Sequence, residues 1–291
     1  MEMHQLRYFA KVAELGNVTR AAEACYVSQP SLSQQLAKLE RELGQPLFER
    51  LGRGVRLTEA GRVFKQYCDQ ILSLTEDART RVTDDPDAGQ LIVAAIPTIA
   101  PYFLPRVLSG FLAAVPRARL EIREDTTQVL LRQLAEGELD LAIVALPLQA
   151  DQIETLPLFS EELVLVMPAD HPLARRRKLT LTDLAPEPFV VMNEAHCLTG
   201  NVLSFCSTKD LAPFVAARSH QLLTLLELVR LGNGVSLIPK MAVPAGVDRG
   251  RVYRSLSDDK PSRTIALAWS KQRYQTQLFK RFVAFCRDLH A

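Results

Sequence analysis

Up to residue 82 the apolar residues of this chain recur at helical spacing, and beyond residue 90 they come in continuous strand-like runs. One pattern wraps helices around a core, and the other needs a covered sheet, so two differently built units are required. The stretch between them, TDDPDAGQ (83–90), is a hinge by composition. With 291 residues, 47% of them hydrophobic, the chain can fill two or three compact cores.

In the first unit Leu6, Phe9, Val12, Ala13 and Leu15 lie on one helical face, and VTRAAEA (18–24) reads as a second short helix. CYVSQPS then turns the chain, with Ser28 as N-cap and Pro30 in the opening turn of a third helix running to Glu42. That helix places Leu32, Leu36, Leu39 and Leu43 on one face and Gln29, Ser31, Ser33, Gln34 and Lys38 on the other. The pattern predicts a helix-turn-helix whose Ser, Gln and Lys side chains suit base edges and phosphates in a major groove. From the residues alone the same face also fits an ordinary solvated helix surface. ERLGRGVRLT follows, with Arg50, Arg53 and Arg56 and no acid between Arg50 and Thr58. Gly52 and Gly54 offer the turn of a small β-wing, which places arginines for backbone phosphate. Residues 1–62 hold nine Lys/Arg against seven Asp/Glu, whereas the remainder balances at 26 each, so the net charge of +2 resides here.

From Thr58 a long helix is expected, in which Phe64, Tyr67, Ile71, Leu74, Ala78 and Val82 step by 3, 4, 3, 4 and 4. This is a coiled-coil-like seam about three heptads long. It either pairs two copies so that a dimer grips two half-sites, or packs onto its own domain.

Beyond the hinge, LIVAAI (91–96), LEIRE (120–124) and LAIVAL (141–146) alternate with helix-like stretches, predicting a parallel sheet. A second set follows: LVLVMP (163–168), FVVM (189–192), FVAAR (214–218) and VSLIP (235–239). TIALAW (264–269) and a final helix close the chain, giving two lobes with a crevice between strand ends. No signal peptide or run of about 18 uncharged apolar residues is evident, so a cytoplasmic location without membrane insertion is expected. Thiols are normally reduced there, and an odd count of five cysteines excludes full pairing.

LRYFAKVAELGNVTRAAEACYVSQPSLSQQLAKLERELGQPLFERLGRGVRLTEAG is similar, almost continuously, to the N-terminal signature of LysR-type transcriptional regulators. The resemblance implies an all-α winged helix-turn-helix (1–58), a dimerising linker helix and hinge (59–89), and a two-lobed α/β sensor related to periplasmic solute-binding proteins (90–291). Lobe I then spans about 90–160 plus 265–291 and lobe II about 161–264. It also implies tetramers, promoter DNA and RNA polymerase as partners, and DNA contacts through Gln29, Pro30, Ser31, Ser33, Gln34 and the wing. Within the family, HCLTGNVLSFC resembles the switch segment of the hydrogen-peroxide-sensing OxyR group, with support from IPTIAPYFLP, EDTTQVLLRQL, GNGVSLIP and SRTIAL. This implies Cys197 as the peroxide-reactive thiol and Cys206 as its disulfide partner. Thr98, Thr127, His196 and Arg263 are then expected around the peroxide, a cellular thiol as reductant, and neither cofactor nor metal. The chain departs from the group at Thr199-Gly200-Asn201, where the best-known members carry a charged Arg-Asp pair before Gln.

The residues support the same chemistry independently. A thiol of ordinary pKa near 8.5 is made more acidic by an imidazolium, an arginine or a helix N-terminus. Peroxide converts its thiolate to a sulfenic acid that a second thiol turns into a disulfide. Nine helical residues separate Cα atoms by about 13 Å, whereas a disulfide needs about 7 Å or less. If 199–206 is helical in the reduced state, bonding therefore requires unwinding, and the two thiols form a bistable element. The other readings of Cys197 and Cys206 are small buried hydrophobes or two ligands of a zinc site with no evident fourth. Cys25, Cys68 and Cys286 read as packing residues, and His171-Pro172 with ARRRK (174–178) as an exposed loop. His4, His220 and His290 show no evident chemistry. Thr98 and Thr127 each follow a strand, where they either bond a small ligand or cap a helix.

The leading expectation is a non-enzymatic DNA-binding activator that senses peroxide. A regulator of a small organic effector, a thiol peroxidase and a transport solute-binding protein are the competing expectations.

Overall fold

A computed structural model describes the chain except Arg53, residues 83, 84, 86 and 87, Ala195, residues 208–211, Asp259 and residues 290–291; the side chains of Arg50, Asp77, Thr80 and Arg81 are also outside the description. Arg53, the Arg50 side chain, His290 and part of the expected hinge therefore lie outside the described residues. The chain divides into two compact units, one of Met1–Asp84 with Glu136–Glu138 and one of Asp85–Ala135 with Leu139–Ala291.

The first unit contains α1 (Met3–Leu15), α2 (Val18–Ala24), α3 (Gln29–Leu43), the hairpin β1 (Phe48–Leu51) and β2 (Gly54–Leu57), and α4 (Glu59–Val82). Each boundary has a local cause. Gly16 ends α1 at φ 59°, Asn17 caps α2 by accepting from Arg20 N at 3.0 Å, and Ser28 caps α3 with Pro30 in its first turn. Leu6, Phe9 and Val12 from α1 meet Leu32, Leu36 and Leu39 from α3 in one core, closed by Leu47 and Cys68. Leu43 is exposed, because α3 has passed the end of that core. Gly61 is required by contact, since a Cβ there would lie 2.1 Å from the Leu47 carbonyl oxygen.

The apolar stripe of α4 divides between two roles. Phe64 stacks edge-on against Phe9 at 4.9 Å and packs with Ile71 on the core of its own unit. Tyr67, Leu74 and Ala78 remain exposed, at 61% and 57% for the first two.

The second unit continues with β3 (Ala88–Ala95), α5 (Ala100–Ala114), β4 (Arg117–Glu124), α6 (Thr127–Glu136), β5 (Leu141–Leu146) and β6 (Ile153–Pro168). After these come β7 (Phe189–Met192), α7 (Cys197–Ser207), β8 (Val215–Ser219), α8 (Leu222–Arg230), β9 (Ser236–Pro239), β10 (Arg251–Arg254), β11 (Ser262–Ser270) and α9 (Gln277–Asp288). The end of the expected hinge, from Ala88, is already strand.

The main sheet has the order β10-β6-β11-β5-β3-β4, with β9 also paired to β6. The expected parallel pairing of the first three strands is present, within a sheet that is mixed as a whole. β3 pairs in parallel with β4 and β5, but β11 runs antiparallel to both β5 and β6. The reason is that the chain visits the second lobe and returns, inserting β11 between β5 and β6. Burial on both faces makes a strand apolar throughout without revealing its direction. β6 is also longer than LVLVMP: its first part pairs with β11, and Leu163–Pro168 pairs with β9 and β10. β10, half-buried along its length, was absent from the expected strands.

Two cores result. One gathers β3, β5, α5, α6 and α9, and the other gathers the end of β6, β7, α7, α8 and β9. β6 and β11 run from one lobe to the other, and their register there places Arg263 directly opposite Glu161. Among the described residues, no helix is long and apolar enough to cross a membrane.

Candidate functional site

Cys197 opens α7 directly after the buried strand β7. The turn between them is tight. His196 N donates to Asn193 O at 2.9 Å, and the buried Thr199 hydroxyl donates back to Met192 O at 2.7 Å. The first turn of α7 is thus anchored to the strand by the Thr199 side chain, at the point where the sequence departs from the resemblance. Cys197 packs against the first lobe's core, whereas Leu198, Val202 and Cys206 are buried in the second. One helix of 11 residues therefore places its two thiols in different cores.

Opposite stands a buried polar cluster. The Arg263 side chain is 0% exposed and donates through Nε to Glu161 Oε2 at 2.9 Å. Nη2 lies 2.9 Å from the same carboxylate oxygen and donates to the Thr98 carbonyl at 3.0 Å, and Nη1 donates to Thr98 Oγ1 at 2.7 Å. Glu161 is equally committed, because its Oε1 accepts from Met241 N at 2.8 Å. A buried guanidinium is tolerable because a carboxylate neutralises it and its N–H groups find acceptors.

Burial pushes the Cys197 thiol above its ordinary pKa. Four features counteract this: the Thr127 hydroxyl, the Arg263 guanidinium, and the backbone N–H groups of Cys197 and Leu198 at the start of α7. Thr127 Oγ1 is buried and makes no hydrogen bond of ordinary geometry, yet lies near enough to the sulfur for its O–H to favour the thiolate. Burial thus disfavours the thiolate at this site, while the groups around the sulfur favour it.

Thr98, Thr127, Arg263 and Cys197 thus come together. His196 is buried, with its imidazole pushed below the usual range by burial first and by His220 second, so it brings no positive charge to the thiol at neutral pH. Cys206 is buried with its thiol pushed up to about 11. Among the other cysteines, Cys68 and Cys286 are buried with thiols near 12, and Cys25 is half-buried. His171 is not in a simple exposed loop: it caps a 3-10 turn and pairs with Glu187 at 3.3 Å. Sequence reasoning missed Glu161. It stands in SEELVLVMP among ordinary strand residues, and only the register with Arg263, 102 positions away, marks it.

In the first unit Gln29, Pro30, Ser31, Gln34 and Lys38 form an exposed face of α3, with Ser33 half-buried beneath a 2.8 Å bond from Gln29. Beside that face a groove runs between α3 and the hairpin, lined by Asn17, Thr19, Gln29, Ser33, Gly52 and Gly54. Arg56 pairs across the hairpin with Glu49 at 2.8 Å. Being exposed, that pair contributes little and leaves the arginine free to exchange partners.

Comparison with known proteins agrees with this architecture. Residues 3–62 match the bacterial regulatory helix-turn-helix protein family, lysR type, and residues 84–291 match the LysR substrate binding domain. A hydrogen peroxide-inducible genes activator from Dickeya chrysanthemi is 35% identical over 92% of this chain and 89% of its own length. The DNA-binding transcriptional dual regulator OxyR of Escherichia coli K12 is 34% identical over similar shares, 92% and 89%. Among solved structures, a full-length OxyR variant from Pseudomonas aeruginosa superposes with a TM-score of 0.80 at 33% identity, covering 99% of this chain and 94% of that one. A hydrogen-peroxide-bound OxyR mutant from Corynebacterium glutamicum gives 0.67 at 31% identity, covering 99% and 92%. The winged helix-turn-helix, the two-lobed α/β domain and these matches agree: the chain belongs to the LysR family of bacterial helix-turn-helix transcriptional regulators.

Proposed function

We propose that this regulator senses hydrogen peroxide through Cys197 and reports it by forming a disulfide with Cys206. The observation that carries this reading is the convergence of Thr127, Arg263 and the first N–H groups of α7 on one buried thiol. The Cys197 thiolate attacks one peroxide oxygen, the O–O bond breaks, and the departing hydroxide takes up a proton to become water. The resulting sulfenic acid is attacked by the Cys206 sulfur, and a second water leaves as the S–S bond forms. A cellular thiol reductant returns both electrons. While Cys206 remains in its core with a pKa near 11 it stays protonated, so unwinding of α7 precedes the second step.

The test is mass spectrometry of reduced protein after near-stoichiometric peroxide, with free thiols alkylated and non-reduced peptides mapped. A Cys197–Cys206 peptide with Cys25, Cys68 and Cys286 still free is expected. Cys197 left unoxidised would overturn the reading.

The readout is promoter DNA, held by α3 and the wing in a paired assembly that engages RNA polymerase. Gln34→Ala is expected to weaken binding by about 1–3 kcal/mol on the cognate site and much less on others, whereas Lys38→Ala weakens it uniformly and reduces the salt slope by about 1. Gel-shift titrations at several salt concentrations separate the two, and unchanged curves would remove α3 from the interface. The exposed half of the α4 stripe is the surface for a second copy. Leu74→Asp, at a position 57% exposed, is expected to leave unfolding within about 0.5 kcal/mol of the parent while shifting sedimentation toward the monomer.

A further inference from the structure

We propose that Glu161 is a positioning residue for the sensing thiol: it seats the Arg263 fork against Thr98 and, by neutralising it, sets how much of that cation's field reaches Cys197. The inference rests on Cys197 being the reactive thiol. It is carried by geometry. Arg263 and Glu161 are cross-strand partners at the point where β11 and β6 pass between lobes, and both side chains are almost wholly buried. Glu161 is itself fixed by Met241 N at 2.8 Å, so the carboxylate cannot turn away from the guanidinium.

The groups around Cys197 assign the effect to this pair. From α6 comes the neutral hydroxyl of Thr127, and from α7 the two backbone N–H groups. On its own segment, His196 is kept uncharged by burial and by His220. Arg263 is the cation acting on the thiol, and burial still holds that thiol above its ordinary pKa. A carboxylate 2.9 Å from the cation turns a bare charge into a dipole, whose field falls off faster. Burial disfavours the thiolate, and Glu161 adds to this by weakening the help that Arg263 gives it, which raises the peroxide level needed to trigger the thiol.

The experiment is the pH dependence of Cys197 alkylation by iodoacetamide in the full-length reduced protein, read by peptide mapping. Glu161→Gln keeps the shape and one hydrogen-bond acceptor but removes the charge. The midpoint is expected to fall by about one pH unit. Alkylation at pH 7 then rises about three-fold, because the gain in thiolate is partly offset by lower nucleophilicity. Glu161→Asp, which keeps the charge and serves if the glutamine variant does not fold, withdraws the carboxylate by one methylene and moves the midpoint part of the way down. A residue that only braced the fold would change unfolding and leave the midpoint alone. An unmoved or raised midpoint in a folded variant therefore overturns the proposal. Alkylation needs no peroxide, so the two readings fail separately. A lowered midpoint with Cys197 inert to peroxide would sink the proposed function and leave this inference standing.

Discussion

Arg263→Met is expected to cost about 3–5 kcal/mol of folding stability at neutral pH, the range for removing one member of a buried ion pair. The cost arises from what is left behind. Glu161 becomes a buried carboxylate with its Oε2 unmatched, and Thr98 loses donors to its hydroxyl and its carbonyl. The lone tryptophan, Trp269, lies on the same strand six residues on, so urea unfolding followed by its emission reports the event where it happens. The double variant Arg263→Met with Glu161→Met is expected to recover most of the loss, because no uncompensated charge then remains. A loss below about 1 kcal/mol in the single variant would mean that Glu161 finds another partner or water. Peroxide should also oxidise Cys197 more slowly in the folded single variant, since the cation favouring the thiolate is gone.

Cys206→Ser is expected to abolish the structural response while leaving the first oxidation step intact. In the parent, the two Cα atoms stand about 13 Å apart along α7 and must come within about 7 Å, so peroxide should erase the helix. Hydrogen exchange on the peptide 197–207 should then lose its protection, and in Cys206→Ser the protection should persist while Cys197 accumulates as sulfenic and sulfinic acid. Equal loss of protection in both proteins would remove Cys206 from the switch. The proposed bistability has a source in the helix itself. α7 contains Thr199, Gly200 and Asn201, poor helix formers, and a Cβ at Gly200 would meet nothing within 4 Å, so packing does not demand the glycine. The helix persists because Leu198, Val202 and Cys206 are buried, and the proposed disulfide would withdraw the last of these from its core.

Much of the DNA-binding unit was legible because its determinants are local. Ser28 and Pro30 start a helix through neighbours three residues away, Gly16 stops one, and the spacing of Leu32, Leu36 and Leu39 names the buried face. The α4 stripe was less legible. Phe64 and Tyr67 share one periodic pattern, yet Phe64 meets Phe9 and Tyr67 meets solvent, although Cys68 and Ile71 beyond it still pack on the core. In the second unit the buried strands and the parallel set β3, β4 and β5 could be read from apolar runs alternating with helices, but not the antiparallel return of the chain. The return of β11 into the sheet depends on the whole path of the second lobe.

By itself the sequence determined the helix starts and stops of the first unit, most of the order of the elements, the family and the nine-residue interval between Cys197 and Cys206. Each follows from side chains acting on close neighbours along the chain. Only the tertiary structure decided that this interval spans two cores, that His196 is kept uncharged, and that Arg263 is shared between Thr98 and Glu161. Those facts depend on strand register and burial, which bring together groups more than 100 residues apart and alter the water around them. Reactivity at a thiol is set by that surrounding, and no local pattern encodes it.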